Sequence, residues 1–230
     1  GVSATGATTL VATAGALKLN NAVVTSGSGA VTTLVAGGDV RQLASASISS
    51  DALRVQAGGA AVLESAGNAV STLAADVAGG DLTVVNSQAL TVGSVATTTA
   101  AASGATAGVR TSAAGRNISL QTLAGDIAIT KAIATTGDAG GTDTVSLAAA
   151  GGVSQTTGSD ATLSASQLRV QTAAGGASLA NAGNAVAKVA ADVTGGAFSL
   201  ASNRALNVDA VTTPISLLAG STTGISTRGQ

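Results

Sequence analysis

A glycine doublet recurs at a fixed interval in this chain, opening at Gly37, Gly58 and Gly79, with 58 − 37 = 21 and 79 − 58 = 21. Short apolar-x-apolar beats follow the doublets, as in Leu53-Arg54-Val55 and Leu82-Thr83-Val84. Superposing the three segments brings apolar or small residues together: Val40 with Ala61 and Leu82, Ile48 with Ala69 and Leu90, Leu53 with Ala74 and Val95. A period in this range marks a stacked repeat, in which each unit buries its apolar face only against its neighbours. Period-two alternation puts both apolar side chains of a beat on one face of a strand. Val, Ile and Thr suit a pleated backbone, and the Gly-rich breaks allow positive φ and sharp corners. A spacing of about 20 residues leaves no room for a strand, a ten-residue helix and two loops. The sequence therefore predicts an all-β fold, a single-stranded right-handed parallel β-helix with about 20–24 residues per coil. About eleven coils would make a rod on the order of 50 Å long.

A longer repeat is superimposed on the short one. Leu168-Arg169-Val170-Gln171 matches Leu53 to Gln56 at an offset of 168 − 53 = 115, and Gly183-Asn184-Ala185-Val186 matches Gly67 to Val70 at 183 − 67 = 116. Ala190-Ala191-Asp192-Val193 and Gly195-Gly196 keep the offset of 116. Gly1-Val2-Ser3, Gly108-Val109-Arg110 and Gly224-Ile225-Ser226 read as three starts of one unit. The chain is expected to be one continuous β-helix segment over 1–230, with repeats at approximately 1–107 and 108–223 and the start of a third at 224–230. That pattern reads as a slice of a longer array. The Thr/Ala/Ser-rich stretch 96–114 lacks clear alternation, and is expected to be a loop pushed out from a coil or a coil cored by alanine. A β-sandwich array of about 110-residue modules would also suit the long repeat. The 21-residue sub-period, the short strands and the lack of core aromatics favour the β-helix.

Composition narrows the chemistry. The chain contains 31 Gly, one Phe, one Pro and no Cys, His, Met, Trp or Tyr. Hydrophobic residues make up 45% and charged residues 9%, so collapse is expected rather than disorder. A formal net charge of −1 offers no electrostatic footprint for nucleic acid or an anionic membrane. No run of eighteen apolar residues suggests a membrane span, and no basic-then-apolar leader is evident. Ser-His and Cys-His catalysis and the usual zinc sites are excluded for want of the residues. Carboxylates such as Asp39, Asp51, Asp76, Asp81, Asp126 and Asp192 are scattered singly and read as turn formers. The segment Gly137 to Val145 has a faint likeness to a β-roll calcium repeat, but it is a single degenerate copy and reads as a polar loop. Asn117-Ile118-Ser119 fits a glycan acceptor. Lys18, Arg54, Arg169 and Lys188 alternate with inward apolar residues and read as solvated faces, Arg54 and Arg169 sharing an outward stripe. Structural corner and stacking positions are assigned to Asn68, Asn86, Asn184 and Asn203 and to Gly58, Gly59, Gly79, Gly80, Gly195 and Gly196. The asparagines are expected to bond the turns above and below.

The beats Gly67 to Val70, Ala74 to Gly80 and Asn86 to Gly93, repeated at Asn184 and from Asn203 to Val208, resemble the repeat body of filamentous-haemagglutinin-like proteins. These are large bacterial surface β-helices exported by two-partner secretion. The resemblance implies an extracellular or outer-surface fibre or adhesin stalk serving adhesion, biofilm cohesion or sheath formation. The uncapped long repeat and the absence of reactive side chains lead to the expectation of no catalysis, no cofactor and no metal. Expected partners are neighbouring repeats or copies of the chain stacked end to end, with surface glycans of a host or the environment as further candidates. A carbohydrate-binding or polysaccharide-cleaving β-helix is the alternative reading, and an ice-binding module a second.

Overall fold

A computed structural model describes residues 1–137, 141–213 and 220–229. Its regular structure is nearly all β, with 61% of residues in strands, wound as a parallel β-solenoid of about nine turns. Each coil lays its strands in register on those of the coil before. One inward ladder climbs the whole molecule: Leu17, Val40, Ala61, Leu82, Ile118, Val145, Leu168, Val189 and Val208, each paired with the next. A second runs through Leu10, Leu34, Val55, Ala75, Val109, Ile133 and Leu163. A third stacks Leu90, Ile127, Val153, Ala177 and Phe198. Between their ends these side chains are buried almost completely. The core is thus a column of aliphatics, each sealed above and below by its counterparts. Burial of each such Val, Leu or Ile contributes about 1.5–3 kcal/mol.

The turn count falls below the expected eleven for two reasons. Some coils are longer than the doublet period, as where Ile118 pairs with Val145. In addition, two segments leave the coil altogether. Ser94–Thr97 and Gly104–Ala107 pair antiparallel as a hairpin, joined through a 3₁₀ turn at Ala100–Ala102. The stretch expected as a loop or an alanine-cored coil is therefore ordered. Its base interrupts a strand without breaking the ladder, since Thr91 and Val92 pair with Thr72 and Leu73 while Val109 to Thr111 pair with Ala75 to Val77. The hairpin replaces only the rung above Ala74. In the second repeat, Val211–Thr213 and Gly220–Thr222 form an equivalent hairpin above Ala190, between Val208 and Ile225. Pro214 lies outside the described residues.

The two repeats do not superpose face on face. Val55 belongs to the ladder of Leu34 and Ala75, whereas its counterpart Val170 stacks on Leu147, which stacks on Leu120, Val84 and Leu63. The strand Ala61–Leu63 follows Ile48–Ala57 around the next corner of one coil. Each repeat thus spans a whole number of coils plus one face. The same motif, and the hairpin that goes with it, moves to the neighbouring side of the rod.

The corner glycines are required by crowding more than by backbone conformation. Gly58, Gly59, Gly79, Gly80 and Gly196 all avoid positive φ, contrary to the expectation from sequence; Gly195 alone of the six, at φ +87°, adopts it. A Cβ on Gly58 would lie 2.1 Å from the Gly37 carbonyl oxygen, and one on Gly79 would lie 2.5 Å from that of Gly58. At Gly59, Gly80 and Gly196 it would come within 2.1 Å of Asp39 Oδ1, 2.6 Å of Ala60 and 2.3 Å of Gly176 N. The doublet period therefore records the coil-to-coil contact itself. Gly58→Ala is expected to destabilise the fold by about 2–3 kcal/mol in chemical denaturation, against a change within about 0.5 kcal/mol for Ser178→Ala on an exposed strand position.

Candidate functional site

Arg54 and Arg169 point away from the core, yet both are buried, at 3% and 5% exposure. The reading of these two arginines as a solvated stripe is corrected by the hairpins, which fold down over them. Arg54 Nε donates to Thr106 Oγ1 at 2.9 Å and Nη1 to the Ala102 carbonyl at 2.7 Å. Arg169 repeats the clamp, with Nε donating to Thr222 Oγ1 at 2.8 Å and Nη1 to Thr213 Oγ1 at 3.1 Å. One rung lower, Thr33 bonds Thr97 of the first hairpin, and Thr213 of the second donates to Ser146. Thr9 bonds Thr99 lower still. Gly104 and Gly220 face the two guanidinium groups in positive-φ conformations of +125° and +152°, which a side chain would strain. Burial pushes the Arg169 guanidinium below its ordinary range, while a group of this type stays charged throughout physiological pH. A planar fork that binds several neutral oxygens at once suits this place better than a lysine ammonium would. Lys18 is exposed, and Lys188 pairs with Asp209 at 3.4 Å.

Asparagine side chains tie consecutive coils at a second set of positions. Asn68 Oδ1 accepts from Ile48 N in the coil below at 2.8 Å, and its Nδ2 donates to Leu63 O at 3.2 Å and to Val85 O in the coil above at 3.1 Å. Gln42 closes the set with bonds to both ends of the same amide, at 2.7 and 3.0 Å. Asn184 and Gln155 reproduce this arrangement in the second repeat with Leu163 N, Leu179 O and Ala201 O. Asn86 pairs with both backbone groups of Val70 at 2.9 Å. Asn203 does not repeat that contact. It is exposed, and Ser202 instead bonds both backbone groups of Val186, at 3.0 and 2.8 Å. The offset 202 − 86 = 116 is the one the repeat keeps, so Ser202 is the true counterpart. Asn117, read from sequence as a glycan acceptor, and Asn181, which that reading passed over, are also buried and bonded, Asn117 accepting from Thr144 N and Asn181 donating to Gly158 O. With Asn117 at 8% and Ser119 at 0% exposure, the glycan-acceptor triplet is inaccessible in the folded coil.

The carboxylates serve the same stacking. Asp39, Asp81 and Asp126 each follow a glycine and accept an amide from the next coil: Ala60 N at 2.8 Å, Asn117 N at 2.8 Å and Gly152 N at 2.7 Å. Asp51 accepts from Gly29 N at 2.7 Å in the coil below. Two of the ion pairs join neighbouring strands, Arg110 with Asp76 at 2.8 Å and Arg228 with Asp192. Such pairs add little individually. In the stretch Gly137 to Val145, Asp138, Ala139 and Gly140 lie outside the described residues. Asp143 is fully buried and accepts from the hydroxyls of Thr135 and Ser166 and from Ser166 N. Among the described residues, no three of His, Cys, Asp and Glu converge to hold a metal ion. The surface grooves lie along the corners and are lined by Gly, Ala, Ser and Thr with a few long side chains. No helix among the described residues is long and apolar enough to cross a membrane. No family model, curated protein or solved structure matches the chain.

The Arg54 clamp makes the first prediction for this region. Arg54→Ala should cost about 1.5–3 kcal/mol, the loss of charge-assisted buried hydrogen bonds, and Arg54→Lys should restore less than half. Hydrogen exchange should show the amides of 94–107 losing protection while those of the solenoid strands keep theirs. The second concerns acid. Asp39 is held below the ordinary carboxylate range, first by the Ala60 amide and then by Arg41. Asp160 and Asp209 are lowered too, by the Lys131 bond and by the Ala210 amide with Lys188 respectively. A depressed folded pKa gives stability that is present above the unfolded value, near 3.8, and lost as pH falls through the folded one. Tm should therefore be flat from pH 8 to about 5 and fall below about pH 4, with a shallower fall in Asp39→Asn.

Proposed function

We propose that this chain is a structural repeat segment of an extracellular bacterial fibre or adhesin stalk, with no catalytic role. The observation that carries the reading is the ladder from Leu17 to Val208, which runs unbroken through two repeats and past both hairpins. A solenoid of this kind extends by adding coils without changing its cross-section. Its polar side chains are spent on holding coil to coil, as Asn68, Asp39 and Arg54 illustrate. Absence of cysteine suits a polypeptide exported unfolded. Placement at the bacterial outer surface, adhesion or biofilm cohesion as the role, and surface glycans as ligands follow from the resemblance to filamentous-haemagglutinin-like repeats. Electron microscopy of the parent material should show long thin filaments carrying small protrusions. Compact particles of uniform size would contradict the reading.

A further inference from the structure

Arg54 is a buried cation for which the chain supplies no anion. It is 3% exposed and forms no ion pair among the described residues. Its two acceptors, Thr106 Oγ1 and the Ala102 carbonyl, are neutral. Taking a charge out of water without an opposite charge is costly, since neutral dipoles replace only part of the lost hydration. Two acidic residues lie close in the pairing register, and both are committed elsewhere. Asp76, one coil above and two residues along, is gripped by Arg110 at both oxygens, at 3.3 and 2.8 Å. Asp51, on the same strand as Arg54, accepts from the Gly29 and Ala30 amides at 2.7 and 3.3 Å. The unspent end of the guanidinium is Nη2, which has no acceptor among the described residues. It is also not one of the side-chain atoms sealed off from both partners and solvent, which are Thr83 Oγ1, Thr111 Oγ1 and Ser119 Oγ. Nη2 therefore reaches solvent. Facing it is the exposed Gly104, where a Cβ would stand 3.6 Å from Nη2. A side chain there would roof the nitrogen, and glycine leaves it open.

We infer that the gap at Gly104 admits a small anion, a halide or a carboxylate oxygen, onto Nη2, where it supplies the counter-charge that Arg54 lacks. A guanidinium N–H donates to either through a charge-assisted bond. Arg54 belongs to the solenoid face and Gly104 to the hairpin, so an anion held between them joins the two. Occupancy then couples closure of the hairpin to the anion in the surroundings, by a factor of 1 + [anion]/Kd for a ligand that binds only the closed form. The site concerns the hairpin clamp and not the fibre's biological setting, so either reading can fail while the other stands.

NMR of the 230-residue chain, isotope-labelled at the arginine side-chain nitrogens, supplies the test. Chloride, and separately acetate, replaces gluconate up to about 0.15 M at constant ionic strength, so that general screening stays fixed. The Nε–H of Arg54 is held by Thr106 and should give a protected signal, assigned by its loss in Arg54→Met. That signal should shift along a saturating curve, while those of the exposed Arg41 and Arg110 change little. Hydrogen-exchange protection of the amides of 94–107 should rise over the same range, about tenfold once the anion reaches roughly ten times its Kd, with the solenoid strands unchanged. Both responses should persist in Arg110→Met. A response to both anions identifies a contact through a single anionic atom, and a response to one alone identifies the preferred anion; either upholds the site. An Arg54 signal indifferent to both anions, or one that drifts without saturating as the exposed arginines do, would overturn the proposal. So would loss of both responses in Arg110→Met.

Discussion

Parallel pairing of each coil with the next is the constraint on which everything else in this molecule depends. With strands about 4.8 Å apart, a side chain at any position meets its own counterpart above and below. Inward positions must then tolerate stacking on themselves, and the aliphatic ladders through Leu82 and Ile118 or Val55 and Ala75 satisfy this without aromatic residues. Corner positions must tolerate a backbone passing within contact distance. Gly37, Gly58 and Gly79 stand where even a methyl group would strike the adjoining carbonyl. Polar residues at corners find unpaired backbone groups of adjacent coils within reach, and Asn68, Asn184 and Asp39 bond them.

The same constraint explains how the chain accommodates insertions. A ladder is kept as long as the two halves of a strand stay in register, and a hairpin can leave through a single rung. Alanine stands beneath each exit, at Ala74 and Ala190, where it is fully buried by the chain passing over it. The arginine one rung lower then fastens the hairpin to the face. Fastening by neutral oxygens keeps a buried guanidinium satisfied by at least two bonds, which a solvent-facing reading of the same residue does not anticipate. Because each repeat adds one face beyond a whole number of coils, the two clamps project from adjacent sides of the rod. A protein built this way displays a recurring feature around its axis using a single sequence motif.

Much of the architecture was legible because the solenoid maps a spatial period directly onto a sequence period. The doublet spacing marked the coil length, and the alternation in Leu53-Arg54-Val55 marked its inward face. What stayed hidden depended on contacts far apart in the chain. Arg54 reads as surface until Ala102 and Thr106 arrive over it, and the segment carrying them has too little apolar contrast to announce a hairpin. The misplaced Asn203 had a remedy in the sequence itself: the constant offset of 116 pointed to Ser202, but an asparagine one residue on drew the assignment. The shift of one face between repeats becomes visible only when the number of coils per repeat is known, and the hairpins conceal that number by lengthening single coils.

Diffraction from oriented rods tests the in-register stacking of coils most directly. The account predicts a sharp reflection near 4.8 Å along the rod axis, since the strands lie across that axis and step up it one coil at a time. A pattern in which that spacing lies perpendicular to the axis, or is replaced by a helical spacing of about 5.4 Å, would contradict the stacked-coil structure.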